Sequence, residues 1–150
     1  MTERTEQVAT AGTTAPAGKA VINREEFLPF PPARVWEALT VPEQLARWWV
    51  PGNVKPEVGH RFTLDMGQFG HTPCEVLAVE PERLISYTFA EGELDTTVTW
   101  RLVPEEGGTR LLLENAGFDL ETPIGRQAYQ GMGEKGWPRV FGRLAPALAG

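Results

Sequence analysis

The chain has 150 residues, with 41% hydrophobic and 23% charged side chains, which is the composition of an ordinary soluble domain. This length favours one domain with a substantial core, and the composition excludes a coiled coil, a collagen-like repeat and a wholly disordered chain. The net charge is −6, and no cluster of Lys or Arg interrupts the acidic balance. Nucleic acid and an anionic membrane surface are therefore not expected partners.

The cysteine count and the N-terminal composition narrow the class further. Cys74 is the single cysteine, so the chain can form neither an internal disulfide nor a cysteine-based zinc site. No apolar stretch is long enough to cross a membrane. Residues 1–18 are rich in Thr, Ala and Gly, and we interpret them as a flexible tail rather than a secretory signal. We therefore expect one domain over residues 19–150, located in the cytoplasm.

The first third of the domain predicts a strand followed by two short helices. Residues 20–28 have the pattern of a strand, which the prolines after it terminate. Pro32 suits the first position of a helix over residues 33–39, and residues 42–49 predict a second helix before Pro51.

The middle third alternates apolar and polar residues with the period of a strand, interrupted by turns rich in Gly, Pro and Glu. The pattern predicts strands over residues 59–66, 74–80, 83–90, 96–103 and 109–115. Because short turns join these five strands, we expect an antiparallel meander.

The last third predicts a long helix that is weakened near its middle. Thr122 is expected to cap it, and an apolar stripe at helical spacing is expected to face the sheet. That stripe consists of Trp137, Val140, Phe141, Leu144 and Leu148. The glycines at 131, 133 and 136 should leave volume unfilled opposite the strands, and Pro138 should kink or restart the helix.

Several motifs occur in a fixed order along the chain. They are PARVWEALT at 32–40, LARWW at 45–49, PERL at 81–84, GGTRL at 107–111 with Gly117-Phe118 after it, and GWP at 136–138. In these motifs the chain resembles the START-like (SRPBCC) superfamily, in the branch named for the activator of heat-shock protein 90 ATPase, over residues 19–148. The resemblance implies an α+β helix-grip fold, in which a curved antiparallel sheet wraps around the C-terminal helix and encloses a cavity.

The apolar strand faces either fill a core or line a pocket for an apolar ligand. We predict a ligand-binding set that consists of Trp48, Trp49, Phe62, Leu64, Met66, Phe69, His71, Tyr87, Phe89, Val98, Trp100, Gly133, Trp137 and Phe141. Tyr87 and Asn115 are candidate polar anchors, whereas Arg101, a third candidate, is expected to face solvent by alternation. Trp48 and Trp49 are neighbours on a predicted helix and should point about 100° apart, so we expect one to pack inward and the other to lie at the cavity mouth.

Chemistry-bearing residues are few. A metal site would need His60 and His71 to converge, and we predict neither a metal nor a cofactor. Cys74 and His71 should project to opposite faces of a strand, so Cys74 is expected to be an inert buried thiol, and no catalytic residue is predicted.

Three functions remain open at the level of sequence. The first is binding of a small, largely hydrophobic molecule between sheet and helix. The second is a polyketide-cyclase-like or hydrolase-like enzyme that uses the same cavity, and the third is a module that activates a chaperone ATPase. The sequence does not distinguish a monomer from a homodimer.

Overall fold

A computed structural model describes residues 19–150 as an α+β fold in which helices pack on one antiparallel sheet. The elements are β1 (Lys19–Leu28), α1 (Pro32–Thr40), α2 (Pro42–Trp48), β2 (Arg61–Asp65), β3 (His71–Glu80), β4 (Leu84–Phe89), β5 (Thr96–Glu105), β6 (Gly108–Asp119), α3 (Pro123–Gly131) and α4 (Trp137–Ala149). A short 3₁₀ turn spans Gly67–Phe69, and a π-helical segment, Met132–Gly136, joins α3 to α4. The predicted tail lies outside the described residues.

The sheet confirms the predicted meander. Its strand order is β1-β6-β5-β4-β3-β2, and every neighbouring pair is antiparallel. The two edges are therefore β1 and β2. The arrangement is of the helix-grip type, with the two short helices after the first strand and the long helical run at the C-terminus.

Strands β3 and β6 extend furthest beyond their predicted bounds. Strand β3 begins at His71 rather than Cys74. Pro73 does not end the strand, because it pairs with Thr63 of the short edge strand β2. Strand β6 continues past Asn115 to Asp119 through an irregularity at Gly117. The φ angle of Gly117 is +99°, which side chains rarely adopt, so glycine permits the bulge there.

The C-terminal helical run confirms the predicted cap and the predicted restart. The Thr122 hydroxyl accepts a hydrogen bond from the Gly125 N–H at 3.0 Å and donates one to the Asp119 carbonyl at 3.0 Å. The π segment follows α3, and α4 begins at Trp137 with Pro138 in its first turn. A proline is tolerated there because the first N–H groups of a helix have no intrahelical acceptor.

The core lies between the helices and the face of the sheet that they cover, which we call the inner face. Apolar strand residues of the inner face are buried, namely Phe62, Leu64, Ile85, Tyr87, Phe89, Val98, Trp100 and Leu102, whereas Met66 is only partly buried. The Arg34 guanidinium of α1 donates to the carbonyls of Ala147 and Leu148, which ties α1 to the last turn of α4. Among the described helices, none has the length and apolar character needed to span a bilayer.

Candidate functional site

Aromatic side chains from α2, β4, β5 and α4 meet over the inner face. We call Trp48, Trp49, Phe89, Trp100 and Trp137 the aromatic cluster. The ring centroids of Trp49 and Trp137 are 5.0 Å apart, and Trp100 lies 5.5 Å from Trp48 and 5.6 Å from Trp137. Tilted and edge-to-face pairs at these distances each add about 0.5–1.5 kcal/mol beyond burial alone. The cluster therefore fixes the position of α4 on the sheet.

Trp48 and Trp49 do not point to separate parts of the protein as expected, and contact of Trp49 with a ligand stays a prediction. Both are buried, and both contact the ring of Trp100. Helix α2 ends at Trp48, and Trp49 adopts φ −121° and ψ −96°, which is outside the helical region. The spacing of about 100° between neighbouring helical residues therefore does not apply, and the two indoles join one cluster.

The two candidate polar anchors are engaged inside the protein. The Tyr87 hydroxyl accepts from the indole N–H of Trp100 at 2.9 Å, and burial raises the pKa of Tyr87. The Asn115 side chain accepts from the indole N–H of Trp137 at 3.0 Å and donates to the Thr97 carbonyl at 2.9 Å. Both groups therefore hold the core together in this structure.

Packing is much looser where the helical run crosses the β1–β6 side of the sheet. We call α3 together with the π segment (residues 123–136) the helical cover. Of its residues only Gly125 is buried. A side chain added at Gly133 would meet only Ile22, at 3.6 Å, and Met132 and Ile22 are both partly buried. Gly131 is exposed and adds no interior space, which corrects part of the glycine prediction.

A cavity of about 510 Å³ lies at the N-terminal end of the helical cover. It is partly open to solvent, and the ion pair between Lys19 and Asp119, whose charged atoms are 3.2 Å apart, forms part of its wall. Its lining consists of Lys19, Glu93, Leu94, Asp95, Thr97, Ala116, Gly117, Asp119, Thr122, Ile124 and Gly125. None of these belongs to the predicted ligand-binding set. Gly117 and Gly125 are small residues in its lining, but they did not predict it. A glycine in a sequence can indicate either close backbone packing or open space.

Three predicted residues lie at the β2–β3 hairpin. Phe69 is 77% exposed on the 3₁₀ turn, and His71 is exposed at the start of β3. Met66 is partly buried and packs against the core. Strand β2 is the sheet edge opposite β1, so the structure does not bring Phe69 and His71 together with the helical cover.

Cys74 is a neutral buried thiol, and His71 and Asp65 are exposed. Burial raises the pKa of the Cys74 thiol to about 12, and the charge of Glu91 adds to that shift. His71 lies at the surface, and the exposed carboxylate of Asp65 accepts the backbone N–H of Gly67. Within residues 19–150, no group of three or more His, Cys, Asp or Glu side chains is placed to hold a metal ion.

Residues 29–149 match the family model described as "Activator of Hsp90 ATPase homolog 1-like protein". The chain belongs to this family. The match covers both short helices, five strands and the entire C-terminal helical run, and it confirms the START-like resemblance carried by the sequence motifs. No curated protein matches the chain.

Solved structures of several bacterial proteins have the same fold. A crystal structure of a Mesorhizobium loti protein is 36% identical, with a TM-score of 0.76 over 87% of this chain and 97% of that one. A Bacillus halodurans protein solved in solution is 29% identical, with a TM-score of 0.74 over 86% and 96%. A Micromonospora echinospora protein is 25% identical, with a TM-score of 0.65 over 85% and 80%.

Proposed function

We propose that this family member binds a small, largely hydrophobic molecule between the inner face of its sheet and the helical cover. The observation that carries the proposal is the contrast in packing along one helical run. Helix α4 buries Trp137, Phe141, Leu144 and Leu148, whereas the helical cover buries only a glycine. Ligand sites are concave and lined mostly by apolar side chains, and the partly buried side chains of Ile22 and Met132 beside Gly133 would supply such a lining.

The ligand would lie against the residues where the packed and loose parts meet. Gly133 of the π segment faces Ile22 of β1, Met132 beside it is partly buried, and Trp137 follows the segment directly. Trp49 contacts Trp137 and completes this border. Trp49, Gly133 and Trp137 belong to the ligand-binding set predicted from the sequence, and their contact with a ligand stays a prediction.

The other buried members of the set form the wall behind the ligand. Trp48, Leu64, Val98 and Trp100 are completely buried, so a bound molecule would reach them only if other side chains moved. Four more members are almost completely buried, namely Phe62, Tyr87, Phe89 and Phe141. Their contribution would be a rigid surface that keeps the site in shape.

An enzymatic function draws no support from the described polar groups. Cys74 keeps its proton because burial raises its pKa, and the Tyr87 hydroxyl is held by Trp100. A homodimer and a chaperone partner stay predictions that no described contact favours.

Native mass spectrometry with fatty acids and flat polycyclic aromatics tests the proposal. We expect one molecule bound per chain, and we expect Gly133→Leu to weaken binding roughly tenfold or more, equivalent to about 1.4 kcal/mol. Gly131→Leu is the matched control, because a side chain there meets nothing and should leave binding unchanged. Binding that both variants reduce equally, or no binding to the native chain, would contradict the proposal.

A further inference from the structure

The tryptophans of residues 19–150 differ in what their indole N–H groups reach. Three of them donate to an internal acceptor. Trp48 donates to the Ala38 carbonyl at 2.8 Å, Trp100 to the Tyr87 hydroxyl at 2.9 Å, and Trp137 to the Asn115 amide oxygen at 3.0 Å. This is the usual arrangement, because a buried indole N–H that leaves water must find another acceptor.

Trp49 breaks this pattern. Its side chain is only 6% exposed, yet its indole N–H donates to no residue within 19–150. Trp36 also has no acceptor in that part of the chain, but it is only partly buried and stays open to solvent. Among the indoles of the aromatic cluster, Trp49 therefore holds the one donor without a described protein acceptor.

The position of Trp49 is fixed by its aromatic neighbours. Its ring is stacked on Phe89 at 6.3 Å with an interplanar angle of 20°, and Trp100 meets it edge-on at 5.9 Å. Its ring centroid is 5.0 Å from that of Trp137, the first residue after the π segment. Trp48 lies 6.2 Å away as well, and a donor held by these rings is pre-organised, so binding an acceptor there orders little more of the protein.

We propose that the indole N–H of Trp49 is the polar anchor of the bound molecule. The ligand would then combine a flat apolar body with one hydrogen-bond acceptor, such as a carbonyl oxygen. This inference rests on the proposed function and names the class of ligand that the same site takes.

An uncharged acceptor fits the site better than a carboxylate. Every Lys and Arg of residues 19–150 is exposed or only partly buried, and Arg24, two residues from Ile22 on β1, is already engaged over the Phe141 ring at 5.3 Å from its centroid. A buried carboxylate without a cation beside it would lose its hydration with little in return. The carbonyl oxygen of a ketone, aldehyde, ester or amide needs only one hydrogen-bond donor, and the Trp49 indole N–H would be that donor.

Fluorene and fluorenone test the anchor, because the two molecules share a ring system and differ by a carbonyl group. We expect the native protein to bind fluorenone roughly fivefold more tightly than fluorene. Trp49→Phe removes the N–H and keeps an aromatic ring, so it should bind both molecules equally. Trp36→Phe is the matched control and should keep the preference.

Indole ¹H–¹⁵N resonances of the native protein give a readout that needs no variant. The Trp49 signal, identified by its proximity to the Phe89 ring, should move downfield with fluorenone and far less with fluorene. Equal binding of the two molecules with a stationary Trp49 signal would overturn the anchor and leave the proposed function standing. If neither these molecules nor the fatty acids bind, the proposed function and the anchor both fail.

Discussion

The two halves of the C-terminal helical run share one backbone path and differ in what they bury. Helix α4 places Trp137, Phe141, Leu144 and Leu148 in the core, at the three- and four-residue spacing of a helix face. The helical cover has glycines at 125, 131, 133 and 136 and encloses almost nothing. One half stabilises the fold, and the other leaves partly exposed apolar surface, where we propose that a ligand binds.

The largest expected effect comes from emptying the packed half. Trp100→Ala removes a completely buried ring that contacts Trp48, Trp49 and Trp137, and it should lower the free energy of unfolding by about 3–5 kcal/mol. Met132→Ala in the loose half should cost only about 1 kcal/mol, because the side chain is partly buried. Urea denaturation measures both. An equal decrease in the free energy of unfolding in the two variants would show that the two halves are packed equally tightly.

Alkaline pH tests how tightly the packed part encloses β3. Burial raises the pKa of Cys74 from about 9 to about 12, so the folded state holds the thiol proton more strongly than the unfolded chain. This stabilisation is complete below pH 9 and should be lost at up to about 1.4 kcal/mol per pH unit as the pH rises toward 12. The free energy of unfolding, measured by urea denaturation, should fall less steeply between pH 9 and 12 in Cys74→Ala than in the native protein. Equal pH dependence in the two proteins would show that the thiol is accessible to solvent.

Asn115 connects the packed half to the sheet through two hydrogen bonds. Asn115→Ala leaves the indole N–H of Trp137 and the Thr97 carbonyl without their partner, and we expect a loss of about 2 kcal/mol by urea denaturation. Asn23→Ala, at an exposed position of β1, serves as the control and should change stability by less than about 0.5 kcal/mol. Similar changes in the free energy of unfolding for the two variants would mean that the hydrogen bonds of Asn115 do not stabilise the fold.

The smallest expected effect lies in the loose half. Gly133→Ala places a methyl group in ordinary contact with Ile22, so its thermal midpoint should stay close to that of the native chain. Gly125→Ala is the contrasting variant, because its methyl group would collide with the Asp119 carbonyl and approach the Thr122 hydroxyl to 2.7 Å. A Gly133→Ala protein as unstable as Gly125→Ala would show that the helical cover is closely packed.

The meander, the helix cap at Thr122 and the restart at Pro138 could be predicted from sequence, because each depends on local chemistry. The ends of β3 and β6 could not, since Pro73 and Gly117 are accepted only in the context of neighbouring strands. A local pattern says which residues are apolar and small, but tertiary contacts decide which of them are enclosed.

The site shows the same limit in its tryptophans. Placing Trp49 required knowing that α2 ends one residue earlier, a boundary that periodicity does not define closely. The missing acceptor of Trp49 follows from the partners of the other indoles, which lie far apart in sequence. The exposed positions of Phe69 and His71 likewise depend on how far the β2–β3 hairpin extends beyond the core.

Methyl resonances of the two methionines within residues 19–150 locate a bound molecule. Met132 belongs to the helical cover, and Met66 lies at the β2–β3 hairpin near the opposite sheet edge. On titration with fluorenone, we expect the ¹³C-methyl signal of Met132 to shift and saturate while that of Met66 stays in place. A stationary Met132 signal, or an equal shift at Met66, would show that the loose half of the helical run is not where the ligand binds.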